Sequence, residues 1–177
     1  MQPDLTGIIR RRRNEAALRQ GYVQLLVRVL LVLLCGLFVF GVCFSVSRMH
    51  GTDMFPAFKD GDLLIGYRLM RNYSKGDAVL FERDGEECVG RIAAFGGDIV
   101  EVNETGAVYV NGTAQSGEII YSTYPVKGIE YPYKVPPDSV FILCDYRTNC
   151  TDSRVYGAVP LQNVQAKILT ILRRRTI

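Results

Sequence analysis

The segment Met49–Leu64, with the sequence MHGTDMFPAFKDGDLL, is the first polar stretch after a long apolar run. It divides the chain into two kinds of sequence. Residues 23–46 before it are mostly Leu, Val, Phe and Gly, whereas the residues after it alternate short apolar runs with turn residues. Such alternation is typical of β-strands joined by turns. We expect a functional site in the polar segment at this junction.

The apolar run predicts one transmembrane helix over residues 23–46. It is interrupted only by Gln24, Arg28 and Ser45. At about 1.5 Å per residue, a helix of this length crosses a hydrocarbon core of roughly 30 Å. The segment is therefore expected to lie in contact with membrane lipid.

The basic run Arg10–Arg13 sets the expected orientation, because positive charge favours the inner side of a membrane. Residues 1–22 would be a cytoplasmic basic segment, and residues 47–177 an extracellular domain of a single-pass protein of the cell membrane. A cleavable signal peptide is the alternative, since Ser45-Val46-Ser47 resembles a cleavage site. The apolar run exceeds the roughly 7 to 15 residues of a signal-peptide core, which favours an uncleaved anchor.

Composition limits the class of protein. With 177 residues, of which 48% are hydrophobic, the chain can hold a membrane segment and one folded domain. Positive charge is concentrated in Arg10–Arg13 and Arg173–Arg175, which would be solvated termini or contacts with an anionic membrane surface. Neither run is interleaved with aromatic residues that could stack on bases, so we expect no nucleic acid partner.

Three cysteines lie after the apolar run, at positions 88, 144 and 150. An odd number does not favour a disulfide scaffold, and the spacing lacks the paired Cys-x-x-Cys elements of a zinc site. We therefore predict no metal and no other cofactor. Cys144 and Cys150 would either form a bridge across a loop or be buried as small apolar residues, and burial is favoured.

The residues after the polar segment predict an all-β domain, a sandwich or barrel of short strands. Val108–Val110 runs into Asn111-Gly112, which is a strong hairpin signal. Residues 121–137, rich in Tyr and Pro, predict an irregular lobe. The predicted strands are Leu63–Ile65, Ala78–Glu82, Cys88–Ala94, Ile99–Val102, Ala107–Val110 and Ser139–Cys144, with Val164–Leu172 as a strand or a short helix.

Four segments, in this order behind an N-terminal anchor, resemble bacterial type I signal peptidases. Met54-Phe55-Pro56 followed by Gly61-Asp62 resembles that family's serine-bearing segment, Gly-x-Ser-Met-x-Pro-Thr-x-x-x-Gly-Asp. The other three are residues 75–81 (KGDAVLF), residues 88–98 (CVGRIAAFGGD) and residues 145–157 (DYRTNCTDSRVYG). The resemblance implies the family's β-rich fold over nearly all of residues 47–177.

The departures from the family fall on its catalytic positions. Asp53 stands where the family has its nucleophilic serine, Gly90 where it has a lysine general base, and Cys150 where it has a supporting serine. A carboxylate cannot be activated by deprotonation to attack a carbonyl as a hydroxyl can, and glycine has no group that carries a proton. The resemblance therefore predicts a pseudoenzyme with no catalytic residues.

Two rearranged catalytic sites remain as alternatives, and either would make the chain an active signal peptidase. One is a pair of carboxylates sharing a proton, and the other is a thiol beside the single histidine. The pairs are Asp53 with Asp152 or Asp145, and His50 with Cys88 or Cys150. A purely structural membrane scaffold is a further alternative.

The family holds its substrate as an extended strand between the segment before the nucleophile and the strand bearing the lysine. The resemblance thus implies a peptide groove between residues 49–54 and residues 89–94, with Asp53 adding negative charge at its floor. Binding of this kind uses main-chain hydrogen bonds and needs neither catalytic group. The candidate groove residues are Thr52, Asp53, Met54, Val89, Gly90 and Ile92, and the residues expected to be structural are Asp152, Ser153 and Arg154.

With Asp and Gly at the two catalytic positions, the chain resembles the signal-peptidase-like proteins encoded with pilins and sortases in Gram-positive bacteria. That resemblance implies a chaperone-like assembly factor at the cell surface, which binds extended polypeptide during polymerisation of pili or surface proteins. It also implies pilin subunits or a sortase as partners.

Overall fold

The structure, a computed structural model, describes residues 5–70, 72–115 and 120–173, with side chains from Leu18 onward. The chain divides into two compact units, residues 1–42 and residues 43–177. Helix α1 begins at Leu5 and ends at Cys43. Its part Leu18–Cys43 has a mean hydropathy of 2.8 and is long and apolar enough to cross a membrane. These 26 residues span about 39 Å and are consistent with a single-pass membrane anchor.

The predicted transmembrane segment is too long at its C-terminal end. Phe44 and the two residues after it belong to strand β1 (Phe44–Arg48), which pairs antiparallel with β2 (Leu63–Tyr67). Along β1 the side chain of Ser45 is buried and that of Val46 is exposed, as the alternation of a strand requires. Pairing with β2 therefore outweighs the apolar character that suggested a continued helix.

Residues 43–177 contain two antiparallel sheets. The larger has the strand order β1-β2-β11-β3-β4-β9-β10, and the smaller has the order β7-β6-β5-β8. Strands β1 and β10 are the two edges of the larger sheet, so it is open, and of the two predicted alternatives, a sandwich or a barrel, the closed barrel is not formed. The remaining strands are β3 (Ala78–Arg83), β4 (Glu86–Phe95), β5 (Ile99–Val102), β6 (Val108–Val110), β7 (Thr113–Ala114), β8 (Tyr133–Lys134), β9 (Ser139–Leu143), β10 (Val159–Pro160) and β11 (Val164–Leu172).

The all-β prediction for the region after the anchor is confirmed, with two short helical turns added. Helix α2 (Ser153–Tyr156) follows β9, and a 3-10 turn (Leu161–Asn163) precedes β11. The last segment is a strand rather than a helix because it pairs with β2 on one side and β3 on the other. Residues 121–137 are irregular apart from β8, as their content of Tyr and Pro predicts.

Three clusters of buried side chains form the core. One contains Val100, Val110 and Phe141 and brings together residues of both sheets. A second, containing Ile92 and Ile142, is built on β3, β4 and β9 of the larger sheet. The third lies under the segment between β1 and β2 and contains Met49, Met54, Phe58, Leu64 and Ala78. It is this third cluster that positions the polar segment singled out by the sequence.

Candidate functional site

The segment between β1 and β2 carries Asp53 and is fixed on both sides of it. The N–H of Met49 donates to the carbonyl of Asp62 at 2.8 Å, and the N–H of Gly61 donates to the carbonyl of Met49 at 2.9 Å. The side chains of Met49 and Met54 are buried. Because both flanking side chains are held in the core, the backbone around Asp53 has little freedom.

The same segment is tied to the C-terminal end of the described chain. The guanidinium of Arg173 lies 2.7 Å from the buried carboxylate of Asp62 and also donates to the carbonyl of Ala57 at 3.1 Å. The hydrogen bond from Arg173 is the main cause that lowers the pKa of Asp62. Arg173 is therefore part of the folded domain rather than of a free basic tail, and Arg174 and Arg175 lie outside the described residues.

A cleft of about 650 Å³ opens beside Asp53. One wall is formed by residues 46–50, from the end of β1 onward, and the other by residues 86–90, the first half of β4. The hydroxyl of Ser47 donates to the carboxylate of Glu87 and joins the two walls at one point. The other residues that line the cleft are Asp53, Phe81, Arg83, Ile142, Cys144, Thr151, Asp152 and Tyr156.

Asp53 is half-buried in this cleft, and its main-chain carbonyl accepts a hydrogen bond from the N–H of Tyr146 at 2.8 Å. Burial, with the negative charge of Asp152 as a second cause, raises the pKa of Asp53. Within residues 18–70, 72–115 and 120–173, no cationic side chain lies within ion-pair distance of its carboxylate. The cleft therefore has an unpaired carboxylate on its surface.

Asp152, in contrast, is fully engaged. Its two oxygens accept from Nε and Nη2 of Arg154 at 2.8 and 3.0 Å, and one of them also accepts from the N–H of Cys144 at 3.2 Å. It also caps helix α2, by accepting from the N–H of Arg154. Arg154 in turn donates to the carbonyls of Arg147 and Tyr124. The pair is almost completely buried and fixes the chain that follows β9.

Ser153 completes this internal network. Its hydroxyl accepts a hydrogen bond from the N–H of Ile142 at 2.9 Å, and its side chain is fully buried. The three residues expected to be structural thus lie together, and Asp152 also lines the cleft. Their hydrogen bonds to main-chain groups and between Asp152 and Arg154 fix the chain that follows β9.

Cys144 and Cys150 form a disulfide, with 6.5 Å between their Cα atoms. The preference for two unbridged, buried cysteines is therefore wrong, because the turn after β9 brings the two sulfurs together. Both sulfurs lie near Asp152, and these three form the one possible group of metal ligands among the described residues. Sulfurs bonded to each other are not available as thiolate ligands. The same bond removes Cys150 as a thiol partner for His50.

Cys88 and His50 both line the cleft, as the thiol alternative requires. Burial is the main cause that raises the pKa of the Cys88 thiol. A thiol with a raised pKa forms less of the nucleophilic thiolate. The environment of Cys88 therefore does not activate it.

Gly90 lies on β4 opposite Val79 and is buried. A Cβ atom added at position 90 would overlap the γ2 methyl of Ile142 and would lie 3.4 Å from a ring carbon of Phe81. Ile142 is 1% exposed and belongs to the core. The space in which a side chain at position 90 would begin is thus already filled.

The chain is similar in sequence to several known proteins. The family described as signal peptidase, peptidase S26, matches residues 22–172. The chain belongs to this signal peptidase family. A probable signal peptidase I-1 of Synechocystis sp. is 28% identical over 163 residues, covering 83% of this chain and 78% of that protein. A signal peptidase I of Bacillus licheniformis is 27% identical over 143 residues, covering 73% and 74%.

Among solved structures, the crystal structure of a signal peptidase I from Enterococcus faecalis V583 is similar to part of the chain. The TM-score is 0.45 at 22% identity, and the match covers 56% of this chain and 97% of that one.

Membership of a signal peptidase family corrects one prediction. The substitutions at positions 53 and 90 led us to expect that the chain is not an enzyme. The matches contradict this, because the family is described as a peptidase and the relatives are named as signal peptidases.

In this signal peptidase family member, only some of the residues predicted to form the peptide groove line the cleft. Asp53, Val89 and Gly90 line the cleft, whereas Thr52 is exposed outside it. Met54 and Ile92 are fully buried in the core, and they are not among the residues that line the cleft. The walls are therefore residues 46–50 and 86–90 rather than residues 49–54 and 89–94.

Sequence reasoning missed the charged rim of the cleft. Glu86, Glu87 and Arg48 line it, and so does Arg83, whose guanidinium lies 4.3 Å from the ring centre of Tyr156. The signal for Glu86 was its spacing of four residues from Gly90 on one strand, which places both on the same face. No such signal exists for Arg48, because the first three residues of its strand were assigned to the membrane segment.

Proposed function

We propose that this member of the signal peptidase family binds extended polypeptide in the cleft beside Asp53 and acts as an assembly factor for pili or other surface proteins. The observation that supports binding best is the pair of open strand edges on either side of the cleft. An extended chain laid between them would gain main-chain hydrogen bonds, and such bonds do not depend on a catalytic side chain.

The first edge belongs to β1. The N–H of Arg68 donates to the carbonyl of Cys43, and the N–H of Met49 donates to the carbonyl of Asp62, so the odd-numbered residues 43–49 face β2. In an antiparallel ladder, alternate residues direct their main-chain groups to opposite sides. Val46 and Arg48 therefore direct their N–H and C=O groups away from β2, toward the open edge.

The second edge belongs to the first half of β4. Strand β9 pairs with β4 only from Arg91 onward. The N–H of Ile92 donates to the carbonyl of Asp77, on the β3 side of the strand. By the same alternation, Glu87 and Val89 direct their main-chain groups to the side that β9 leaves open. Two edges of this kind could hold one strand between them.

Location and partners complete the proposal. A single-pass anchor in the cell membrane, with the β-domain on the outer side, would hold the cleft where exported chains emerge. The resemblance carried by Asp53 and Gly90 suggests pilin subunits or a sortase as partners. A protein that holds a subunit in extended form beside the membrane would act before or during its polymerisation.

We expect the full-length protein in detergent micelles to bind a pool of nonapeptides with randomised uncharged residues, and Val46→Trp to weaken that binding at least tenfold. Val46 is 54% exposed and lines the cleft, so an indole there would occupy the peptide's place. Leu169→Trp is the matched control, because Leu169 is 52% exposed on β11 and is not among the residues that line the cleft. Fluorescence anisotropy measures the binding, and equal affinity for both variants would contradict the proposal.

Peptide-bond hydrolysis is a second candidate function, favoured by the match to a family described as signal peptidase, peptidase S26, with Asp53 as the candidate group for proton transfer. Burial raises the pKa of Asp53, and a carboxyl group with a raised pKa is better suited to exchange a proton. Mass spectrometry of the same peptide pool after incubation measures it. Cleavage products that disappear with Asp53→Asn would support this candidate, and an unchanged pool would contradict it.

A further inference from the structure

We propose that the polypeptide bound in the cleft places a lysine or arginine side chain against Asp53. This inference rests on the proposed peptide binding and names the chemistry of the residue that the cleft selects. It is carried by the unpaired carboxylate of Asp53 and by the engagement of Asp152, Glu87 and Arg83 around it.

The cationic side chains of the cleft are directed elsewhere. Arg83 donates to Asp84 at 3.1 Å and stacks over the ring of Tyr156. The guanidinium of Arg48 lies 3.4 Å from the place of a Cβ on Gly61. Among the described residues, neither of them forms an ion pair with Asp53.

Two of the three other acidic side chains that line the cleft have partners of their own. Asp152 is held by Arg154, and Glu87 accepts from Ser47. The charge of Asp152 still acts on Asp53 and, together with burial, raises its pKa. A cation from a ligand would pair with Asp53 and would offset the nearby negative charge of Asp152. Both changes would favour the ionised form of the Asp53 carboxylate.

The chemistry of the site favours an organic cation over a metal ion. Calcium takes six to eight oxygen ligands, and magnesium requires an octahedral set. Here Asp152 is already bonded to Arg154 and Glu87 accepts from Ser47, so the cleft does not offer such a set of free carboxylates. A Lys or Arg side chain can pair with a single carboxylate, and a cleft of about 650 Å³ can hold such a side chain together with its main chain.

The test compares four nonapeptide pools in which the central residue is Lys, Arg, norleucine or Glu and the other eight positions are uncharged mixtures. The full-length protein in detergent micelles is the receptor, and fluorescence anisotropy gives the dissociation constant. We expect the Lys and Arg pools to bind about tenfold or more tightly than the norleucine pool, as a charge-assisted hydrogen bond would give. We also expect Asp53→Asn to remove that preference.

Glu101→Gln is the matched control, because it removes the same charge at an exposed position on β5 that is not among the residues lining the cleft. It should keep the preference for Lys and Arg, which separates pairing with Asp53 from the net charge of the protein. Equal binding of all four pools would overturn this inference and leave the proposed peptide binding standing. Binding of none of the pools would overturn both.

Discussion

Replacing Asp152 with Asn is expected to lower the free energy of unfolding by about 3–5 kcal/mol, the usual effect of removing one partner from a buried ion pair. Asp152 and Arg154 have side chains that are 1% and 3% exposed. The amide of Asn would present an N–H group to a guanidinium that needs two acceptors. Arg154 would keep its charge in the interior without compensation.

The matched control is Asp84→Asn, which removes the carboxylate from another arginine–aspartate pair. Asp84 is 83% exposed and lies 3.1 Å from Nε of Arg83. Exposed pairs contribute about 0–1 kcal/mol, so this variant should unfold almost as the wild type does. Urea unfolding of the detergent-solubilised protein, followed by tyrosine fluorescence, measures both. Similar losses for Asp152→Asn and Asp84→Asn would contradict the role given to the buried pair.

Gly90→Ala is expected to cost about 1–3 kcal/mol of folding stability, because one added methyl group overpacks the core. The new Cβ would overlap the γ2 methyl of Ile142, which cannot move freely in a packed cluster. Where the methyl group fits, Gly→Ala stabilises a protein by about 0.4–1 kcal/mol because it reduces the conformational entropy of the unfolded chain. The sign of the measured change in stability therefore tells whether the space at position 90 is filled.

A double-mutant cycle locates this cost in the contact between positions 90 and 142. Ile142→Ala alone should destabilise by about 2–5 kcal/mol, because it removes a fully buried side chain. The double variant should lose less than the sum of the two single variants, since the cavity left at position 142 accepts the new methyl group. Strict additivity in urea unfolding would show that Ile142 is not what opposes a side chain at position 90.

The fold could be predicted from the sequence where local pattern and tertiary pairing agree. Residues 99–102 form β5 with the predicted bounds, because the apolar alternation and the turns at both ends indicate the same strand. The end of α1 could not be found in this way. The apolar residues Phe44 and Val46 fit a membrane helix and a strand equally well, and only the pairing with β2 decides between them.

The candidate site was predictable in identity but not in geometry. The resemblance singled out Asp53 and Gly90, and both line the cleft. The filling of position 90 by Ile142 depends on two strands meeting from distant parts of the chain, which no local pattern records. The bridge between Cys144 and Cys150 likewise depends on the turn after β9.

The electrostatic coupling between Asp53 and Asp152 could not be predicted from the sequence for a different reason. Asp53 and Asp152 are far apart in sequence, and their coupling follows from the contact between the β1–β2 segment and the turn after β9, where Tyr146 donates to Asp53. The resemblance placed Asp152 among the residues expected to be structural, and the structure identifies Arg154 as the residue that pairs with it.

Protection of main-chain amides in the cleft tests the account most directly. In amide hydrogen exchange of the full-length protein, saturation with the Lys-centred nonapeptide pool should slow exchange at Val46, Arg48, Glu87 and Val89, the residues that face the two open edges. Peptide binding that leaves these four amides unprotected would contradict the claim that the cleft holds an added strand.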